Sequence, residues 1–594
     1  MKILFVNPAC LDKRVFNDDD KVIPIGLYYM AALLLENKFD VRILNLASPA
    51  GIDEMQGQKT QPRQNSNDSV HDSAQDPILA FTAVIEKEKP NFIGFSVTNP
   101  TRINALACAR AARKILPHAW IVFGGPAPGF MGDYLLKTCP EIDIIVRGEG
   151  ESTCLALVKS IKKGESFKGR NVKGIKGILF HENNKIIDTG PAEPIQDLDS
   201  LVHPSKYFVF QHLSMSRGCP GKCTFCNSPK FWGASGIRFH SAQWLAMEIQ
   251  ALAKKGITHF YISDDTFTMD RNRVIEFCSL IISAGITITW NAISRVDYID
   301  KELLSNMRKA GCIQISFGVE SGAEKIKKTL GKPMSNKKCI QAFSLTLSHG
   351  IMPRAYFIYG SPGETWDTIQ ESVDLLIKLR PLGAIFYMLV IFPGTHLYKY
   401  ALEKRLVTHE IWDQDIEDLP WFDLDDNLDF PQVKAFGKKL RQTFYTNLNQ
   451  FADSIDLKED KSLYPFHADF LSRLAMTFSH GEYSNDPRIK NPDKIAEKLF
   501  NRSLTYLPQP RAFLGIAMLL QKRKNFDQAV TLFEKGLGHF PGNKDLSMGM
   551  GICLMNQGRF KKALTFFTPF RNESGMGHYI NICNSQDTRH ESRL

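Results

Sequence analysis

The sequence predicts an α/β molecule with an all-α tail: a first α/β unit built on a parallel sheet, a second unit of six strand–helix pairs, then helical hairpins. Three observations predict it. Apolar strands alternate with amphipathic helices over residues 1–165, the pattern of a parallel sheet covered on both faces. The alternation restarts at residue 212 and runs through six more units. Beyond residue 466 the strands cease, and alanine and phenylalanine recur at a fixed period.

In the first unit, taken as residues 1–170, "KILFVN" (2–7), "DVRILNL" (40–46), "FIGFSV" (92–97), "WIVFGG" (120–125) and "DIIVRGEG" (143–150) read as strands. "IGLYYMAALLLENK" (25–38) and "NALACARAARKIL" (104–116) read as helices between them. Residues 51–75 are polar and almost free of β-branched apolar side chains, which predicts a mobile surface insertion. "KGILFHENNKIIDTG" predicts a hairpin leading into a linker, together covering 171–205. The second unit, 206–407, has strands at 212–216, 259–265, 287–294, 313–321, 354–360 and 384–392. Six units are too few for a closed eight-stranded barrel, so an open, partial barrel is expected.

Residues 408–465 are acidic, aromatic and irregular before turning helical. In 466–575, Ala496, Ala529 and Ala563 recur 33 and 34 residues apart, Phe500, Phe533 and Phe567 keep the same offsets, and Pro508 and Pro541 share the first. Small residues let paired helices approach and proline ends each unit; period and pattern resemble tetratricopeptide repeats. Residues 576–594 are left as a C-terminal tail.

Composition bounds the partners. The 594 residues are 43% hydrophobic and 23% charged, with a net charge of +10. So mild an excess, in short clusters such as "QKRKN", describes solvated helix faces and no clear nucleic-acid footprint. No apolar run reaches the roughly 18 residues of a membrane span. The N-terminus enters a strand at once without a secretory pattern, so a cytoplasmic location is expected. Of twelve cysteines, nine are scattered singly and read as small buried hydrophobes.

The other three are chemical. "SMSRGCPGKCTFCNSP" sets Cys219, Cys223 and Cys226 in one glycine-rich loop after the first strand of the second unit, at the end where parallel α/β folds place their chemistry. Zinc needs a fourth ligand, and His212 or His240 would have to reach the loop. A [4Fe–4S] cube held by three thiolates keeps one iron open to a small molecule. The spacing Cys-x3-Cys-x2-Cys, with Phe225 before the last cysteine, resembles the signature of the radical S-adenosylmethionine superfamily. That resemblance implies a partial (β/α)6 barrel and an open iron that chelates S-adenosylmethionine, which is then cleaved reductively to a 5′-deoxyadenosyl radical. It also implies an electron donor such as flavodoxin or ferredoxin. Within it, "ISDDTF" places Asp264 and Asp265 at the methionine amino group, and "FGVESG" places Glu320 and Ser321 at the ribose. "FIYGSPGET" places Ile358 and Gly360 at the adenine. Arg295 would meet the methionine carboxylate or form a surface salt bridge. Read without the resemblance, the aspartates are helix N-caps and the glycines plain turns.

The first unit resembles the Rossmann-like cobalamin-binding domain that precedes the radical core in one subfamily, on "IPIGLYYMAALLLENKFDV", "IGFSVTNPT", "VFGGPAP" and "DIIVRGEGE". The implied contacts are Ser96, Thr98, Gly124, Gly125, Pro126, Gly148 and Glu149. No Gly-x-Gly-x-x-Gly follows the first strand, against a dinucleotide, and no Asp-x-His-x-x-Gly supplies a lower ligand to cobalt. Together the resemblances imply a cobalamin-dependent radical enzyme, foremost a C-methyltransferase. The alternatives are cyclisation, rearrangement or oxidation without methyl transfer, or a repeat scaffold with relic domains. A small-molecule or peptide-borne substrate, and a protein partner at the repeats, complete the expectations. Tyr356, Tyr359 and Tyr387 are candidate pocket liners.

Overall fold

A computed structural model describes residues 1–10, 23–47, 76–162, 172–233, 236–414, 416–573 and 575–591. The expected insertion at 51–75 lies outside them. In the first unit β1 (Lys2–Asn7), β2 (Asp40–Asn45), β3 (Phe92–Ser96), β4 (Trp120–Gly124) and β5 (Ile144–Val146) pair in parallel in the order 2-1-3-4-5. Their near-continuous Ile, Val, Leu and Phe are buried because helices cover both faces. The strand order reverses at β1, which opens a crevice at the carboxyl ends. The expected hairpin forms from β6 (Ile178–Glu182) and β7 (Lys185–Asp188). It adds to β5 antiparallel and extends the same sheet to seven strands, because Ile178, Leu179 and Phe180 need that core.

The second unit carries six parallel strands: β8 (His212–Leu213), β11 (His259–Ile262), β12 (Thr289–Ser294), β13 (Cys312–Glu320), β14 (Met352–Tyr359) and β15 (Gly383–Met388). Their order is that of an open barrel, as expected. The helices between them start on side-chain caps: Ser241, Asp270, Asp300, Ser335 and Thr365 each accept from the backbone N–H three residues on. The expected strand 212–216 divides. After Leu213 the chain leaves the sheet, and β9 (Ser216–Arg217) pairs antiparallel with β10 (Arg238–Phe239), forming the neck of the cysteine loop. Asp264 causes the break by accepting from the Met215 N–H (2.9 Å) and the Ser216 hydroxyl.

Residues 408–414 and 416–428 form short turns, and β17 (Leu419–Pro420) pairs with β16 (Val390–Ile391) in a small antiparallel ribbon before the helix Phe430–Asp453. That helix covers the outer face of β14 and β15: Val433 meets Gly360, and Gly437 admits the Tyr359 ring. Six helices follow between Tyr464 and Phe567. Ala496, Ala529, Ala563, Phe500, Phe533 and Phe567 are all fully buried. Gly515 and Gly549 provide the space, since a Cβ on either would run into the ring of Phe500 or Phe533. The segment read as a tail is helical over Met576–Glu591, and its Met576 and Cys583 close the apolar face of the last hairpin.

The helices Tyr464–Ser479 and Pro492–Tyr506 share one core with the barrel. They pack on the strands' amino ends. The buried Arg308, just before β13, donates to the Phe466 carbonyl (2.9 Å) and Asp469 (2.8 Å). Just before β15, the Leu382 carbonyl accepts from the Tyr483 hydroxyl (2.9 Å). The repeats therefore lie on the face opposite the cysteine loop.

Candidate active site

The cysteine loop is pinned from behind and open in front. The Thr224 N–H donates to the Leu330 carbonyl (2.9 Å), its carbonyl accepts from the Leu397 N–H (3.0 Å), and Gly331 passes so close to Lys222 that a Cβ there would overlap it. Gly218, at φ 109°, makes the turn into the loop. At its centre Gly221 leaves free the space between two sulfurs: a Cβ would stand 3.3 Å from Cys219 Sγ and 3.6 Å from Cys223 Sγ. All three cysteines are partly accessible free thiols. Burial pushes the Cys226 thiol up to about 11 and that of Cys223 upward, and a coordinated metal would act the other way by deprotonating them. The histidines considered for zinc are committed elsewhere. His240 stacks on Trp244 (3.7 Å between centroids) and meets the Tyr29 hydroxyl (3.1 Å), while His212 stacks on Tyr261. Among the described residues no set of three or more Cys, His, Asp or Glu closes into a metal cage. The thiol set and the cradle fit a bulky inorganic core with an open side.

The remaining motif residues divide into two groups. Glu320 and Asp265 lie beside the loop. Glu320 is buried, ion-paired to Lys332 at 2.6 Å, and held at φ 64° where the strand register slips. That backbone is costly for a non-glycine residue and persists only when the surroundings enforce it. Asp265 accepts from the Ser228 hydroxyl, and burial raises its pKa. Phe225 packs against the core that contains Ile358. Arg295 pairs with Asp297 at 3.0 Å through a terminal nitrogen, while its Nε is buried with no hydrogen-bond partner among the described residues.

Three residues turn away. Asp264 spends its carboxylate on the neck of the loop, where burial raises it to about 6. Ser321 is fully buried, and its hydroxyl is shared between Ser372 (3.1 Å) and the Ala323 N–H (3.1 Å). Gly360 faces Val433 of the covering helix, and its N–H donates to Glu364. Likewise Tyr359 faces Gly437 and Arg441, leaving Tyr356 and Tyr387 inside the barrel.

A cleft with an empty volume of about 1360 Å³, counting its open mouth, lies between the carboxyl ends of the first sheet and the mouth of the barrel. Ser96, Gly124, Gly125, Pro126, Gly148 and Glu149 line one side; Ser214, Arg217, Trp232 and Asp265 line the other. Gly94 makes room for the Phe5 ring, and Gly125, at φ 101°, lets its backbone approach that of Val97. Thr98 does not line the cleft. It turns to Thr101, whose hydroxyl accepts from its N–H (3.0 Å) ahead of helix Arg102–Ile115. The cleft is mostly apolar, with a few polar groups on its walls, as ligand pockets are.

Sequence reasoning missed the charge network in this wall. Arg217, two residues before Cys219, pairs with Glu151 (2.6 Å) and Glu149 (3.5 Å), with its guanidinium 5.3 Å from the Tyr29 ring centroid. Glu149 also pairs with Arg238 and accepts from the Ile195 N–H (2.8 Å). Glu149, expected at the cofactor, thus braces the two units against each other, and Arg217 holds its pKa below the usual range together with Arg238 despite burial. The alternation of Arg217 and Cys219 was readable; a partner on a loop of the other unit was not.

An open cysteine loop at the mouth of a partial barrel, facing a large cleft at the end of a Rossmann-like sheet, defines a two-cofactor redox enzyme. Residues 213–376 match the model of the radical SAM superfamily, residues 15–158 that of the B12 binding domain, and residues 520–569 a tetratricopeptide repeat. An uncharacterized methyltransferase of Pyrococcus horikoshii is 31% identical over 427 residues, covering 69% of this chain and 85% of that protein. The anaerobic magnesium-protoporphyrin IX monomethyl ester cyclase of Cereibacter sphaeroides is 30% identical over 328 residues, 52% of this chain and 53% of its own length, so the chain spans about half of that relative. Among solved structures, the radical S-adenosylmethionine methyltransferase TsrM of Kitasatospora setae has the same fold, with a TM-score of 0.57 at 16% identity, covering 84% of this chain and 99% of that one. The chain belongs to the radical SAM superfamily, in the branch that carries a B12-binding domain. It is an enzyme whose cofactors are a [4Fe–4S] cluster, S-adenosylmethionine and cobalamin.

Proposed function

We propose that the protein is a C-methyltransferase acting on an unactivated carbon. The observation that carries this reading is a cleft walled by both units: Gly94, Ser96 and Gly148 on the sheet side face Asp265 and Trp232 beside the cysteine loop. When bound, the cluster with S-adenosylmethionine supplies hydrogen-atom abstraction, and cobalamin supplies the methyl group. The chain's own residues bind and orient. Cys219, Cys223 and Cys226 hold the cluster, and Gly221 leaves it room. Asp265, whose oxygens are less committed than those of Asp264, meets the methionine amino group. Glu320, kept in place by Lys332, accepts from ribose hydroxyls, and Ile358 and Phe225 border the adenine. On the sheet side the glycines at 94, 124, 125 and 148 let backbone lie against the corrin, and Ser96 donates to its side arms. The relatives named as methyltransferases support this outcome.

The test is anaerobic incubation of reconstituted protein with reductant, a metabolite extract and methyl-trideuterated S-adenosylmethionine. Label must appear in a product together with 5′-deoxyadenosine. Deoxyadenosine with an unlabelled, altered product selects the second reading, cyclisation or oxidation, which the 30% identity to the cyclase favours. The repeats lie on the barrel's amino-terminal face, away from the mouth. This favours a small-molecule substrate over one presented by a peptide in their groove.

A further inference from the structure

The interior of the barrel shows what kind of substrate this reading requires. Along β11 to β14 the odd-even alternation sends Phe260, Trp290, Phe317 and Phe357 outward into the helix-covered core. Inward, it sends His259, Tyr261, Asn291, Gln314, Ser316, Arg354 and Tyr356. The interior is polar and open: Ile293 and Tyr387, on its wall, are 36% and 44% exposed.

Two groups in it lack partners. Arg354, in register with Ser316 on one side and Gly383 on the other, has no ion pair among the described residues. Gly383 keeps that side clear, since a Cβ would sit 3.3 Å from the Arg354 Cγ. Half-buried, the Arg354 guanidinium is hydrated in the free protein and open to a charge-assisted, two-pronged hydrogen bond with an anion. Asn291 Oδ1, one strand from Gln314, is buried and accepts no hydrogen bond from the described residues.

The floor adds to the positive charge. Three guanidiniums converge on the carboxylate of Asp469, those of Arg308 (2.8 Å), Arg473 (2.9 Å) and Arg511 (3.0 Å), so the cluster carries an excess of positive charge among the described residues. Arg473 is held at the floor by Asp469, which also binds Arg308 just before β13. Arg354 and Arg473 both stand at the amino-terminal half of the barrel, below the cysteine loop.

We propose that the barrel interior binds a substrate bearing an oxyanion, a carboxylate or a phosphate, which is anchored at the floor by Arg354 with Arg473 and directs a hydrogen-bond donor to Asn291, while the reacting carbon points to the mouth. The helix Tyr464–Ser479, which supplies Arg473, is then part of the substrate site. This inference rests on the reading of the barrel as the place where the substrate meets both cofactors, but not on the methyl outcome.

The test is anaerobic equilibrium dialysis of the reconstituted full-length protein against a small-molecule extract of the cells that make it. One half of the extract is first treated with alkaline phosphatase. The wild type is expected to concentrate an acid at least tenfold more than Arg354→Gln does. Arg354→Lys should restore part of the difference, and Arg473→Gln should lower retention independently, which keeps the test decisive if Arg354→Gln fails to fold. Loss of the retained acid after phosphatase identifies a phosphate; its survival identifies a carboxylate. Enrichment of neutral compounds alone, enrichment of nothing, or equal retention by the glutamine variants overturns the proposal. A retained acid that takes no methyl label leaves the anion site standing and retires methyl transfer. Label in a neutral acceptor does the reverse.

Discussion

Removing one member of the buried Glu320–Lys332 pair leaves the other charge without a partner beside the cysteine loop. Lys332→Ala should therefore cost about 3 kcal/mol of stability and weaken S-adenosylmethionine binding, with Lys332→Arg restoring part of both. Denaturant titration and equilibrium binding measure the two. Gly221 predicts a different split. Gly221→Val fills the space beside Cys219 and Cys223, so iron and sulfide content should fall severalfold while the melting temperature of the cluster-free protein stays put. A proton-linked prediction follows from His259. Its pKa drops from the ordinary 6.5 to about 4 on folding, mainly through burial. The unfolded chain thus binds the extra proton between those values, and His259 destabilises the fold as pH falls from 6.5 to 4. His259→Gln should flatten the melting temperature against pH across that window; parallel curves for both proteins would refute this. At this scale the sequence was legible where spacing alone defines the site, as for the three cysteines. It was not legible where a side chain must choose a direction: Asp264 bonds to Met215 and Ser216, Ser321 to Ser372, and Thr98 to Thr101.

Among the elements, the repeats show their logic in pairs of residues of opposite size. Phe500 fits against Gly515 and Phe533 against Gly549, so the glycine is as much a core position as the ring. Gly515→Ala should lower stability by about 1–3 kcal/mol through overpacking. Phe500→Leu in the same chain should recover part of it, as thermal melts of the single and double variants would show. The period of 33 and 34 residues made these hairpins readable in advance. The hairpin of β6 and β7 was also visible as a hairpin, but which sheet it joined depended on three apolar residues reaching β5, more than thirty positions upstream. Helix Met576–Glu591 was lost to a polar composition, though Met576 and Cys583, with Tyr579 and Ile580 beside them, give it an apolar face on the last hairpin.

For the molecule as a whole, the barrel depends on its C-terminal helices. Arg308, Leu382 and the apolar side chains of Tyr464–Ser479 close the floor, and the core is continuous across the join. Truncation after residue 463 should give aggregated protein, whereas truncation after residue 524 keeps the first three helices of the tail and should stay folded; gel filtration separates the outcomes. The other join, between the sheet and the barrel, is made by Arg217 with Glu149 and Glu151, and by Arg102 against the Trp412 and Ile416 carbonyls. Neither join was readable in the sequence, because each pairs charges from different units with no periodic signal. The domain order and the two-cofactor architecture were readable, because each rests on local motifs at strand ends.

The account stands on both cofactors sharing the cleft between these two units. The direct measurement is electron paramagnetic resonance of the bound cob(II)alamin before and after reduction of the cluster. The account predicts that the reduced cluster speeds the spin relaxation of the cobalt; a cobalt signal with unchanged relaxation would place the two cofactors apart and contradict it.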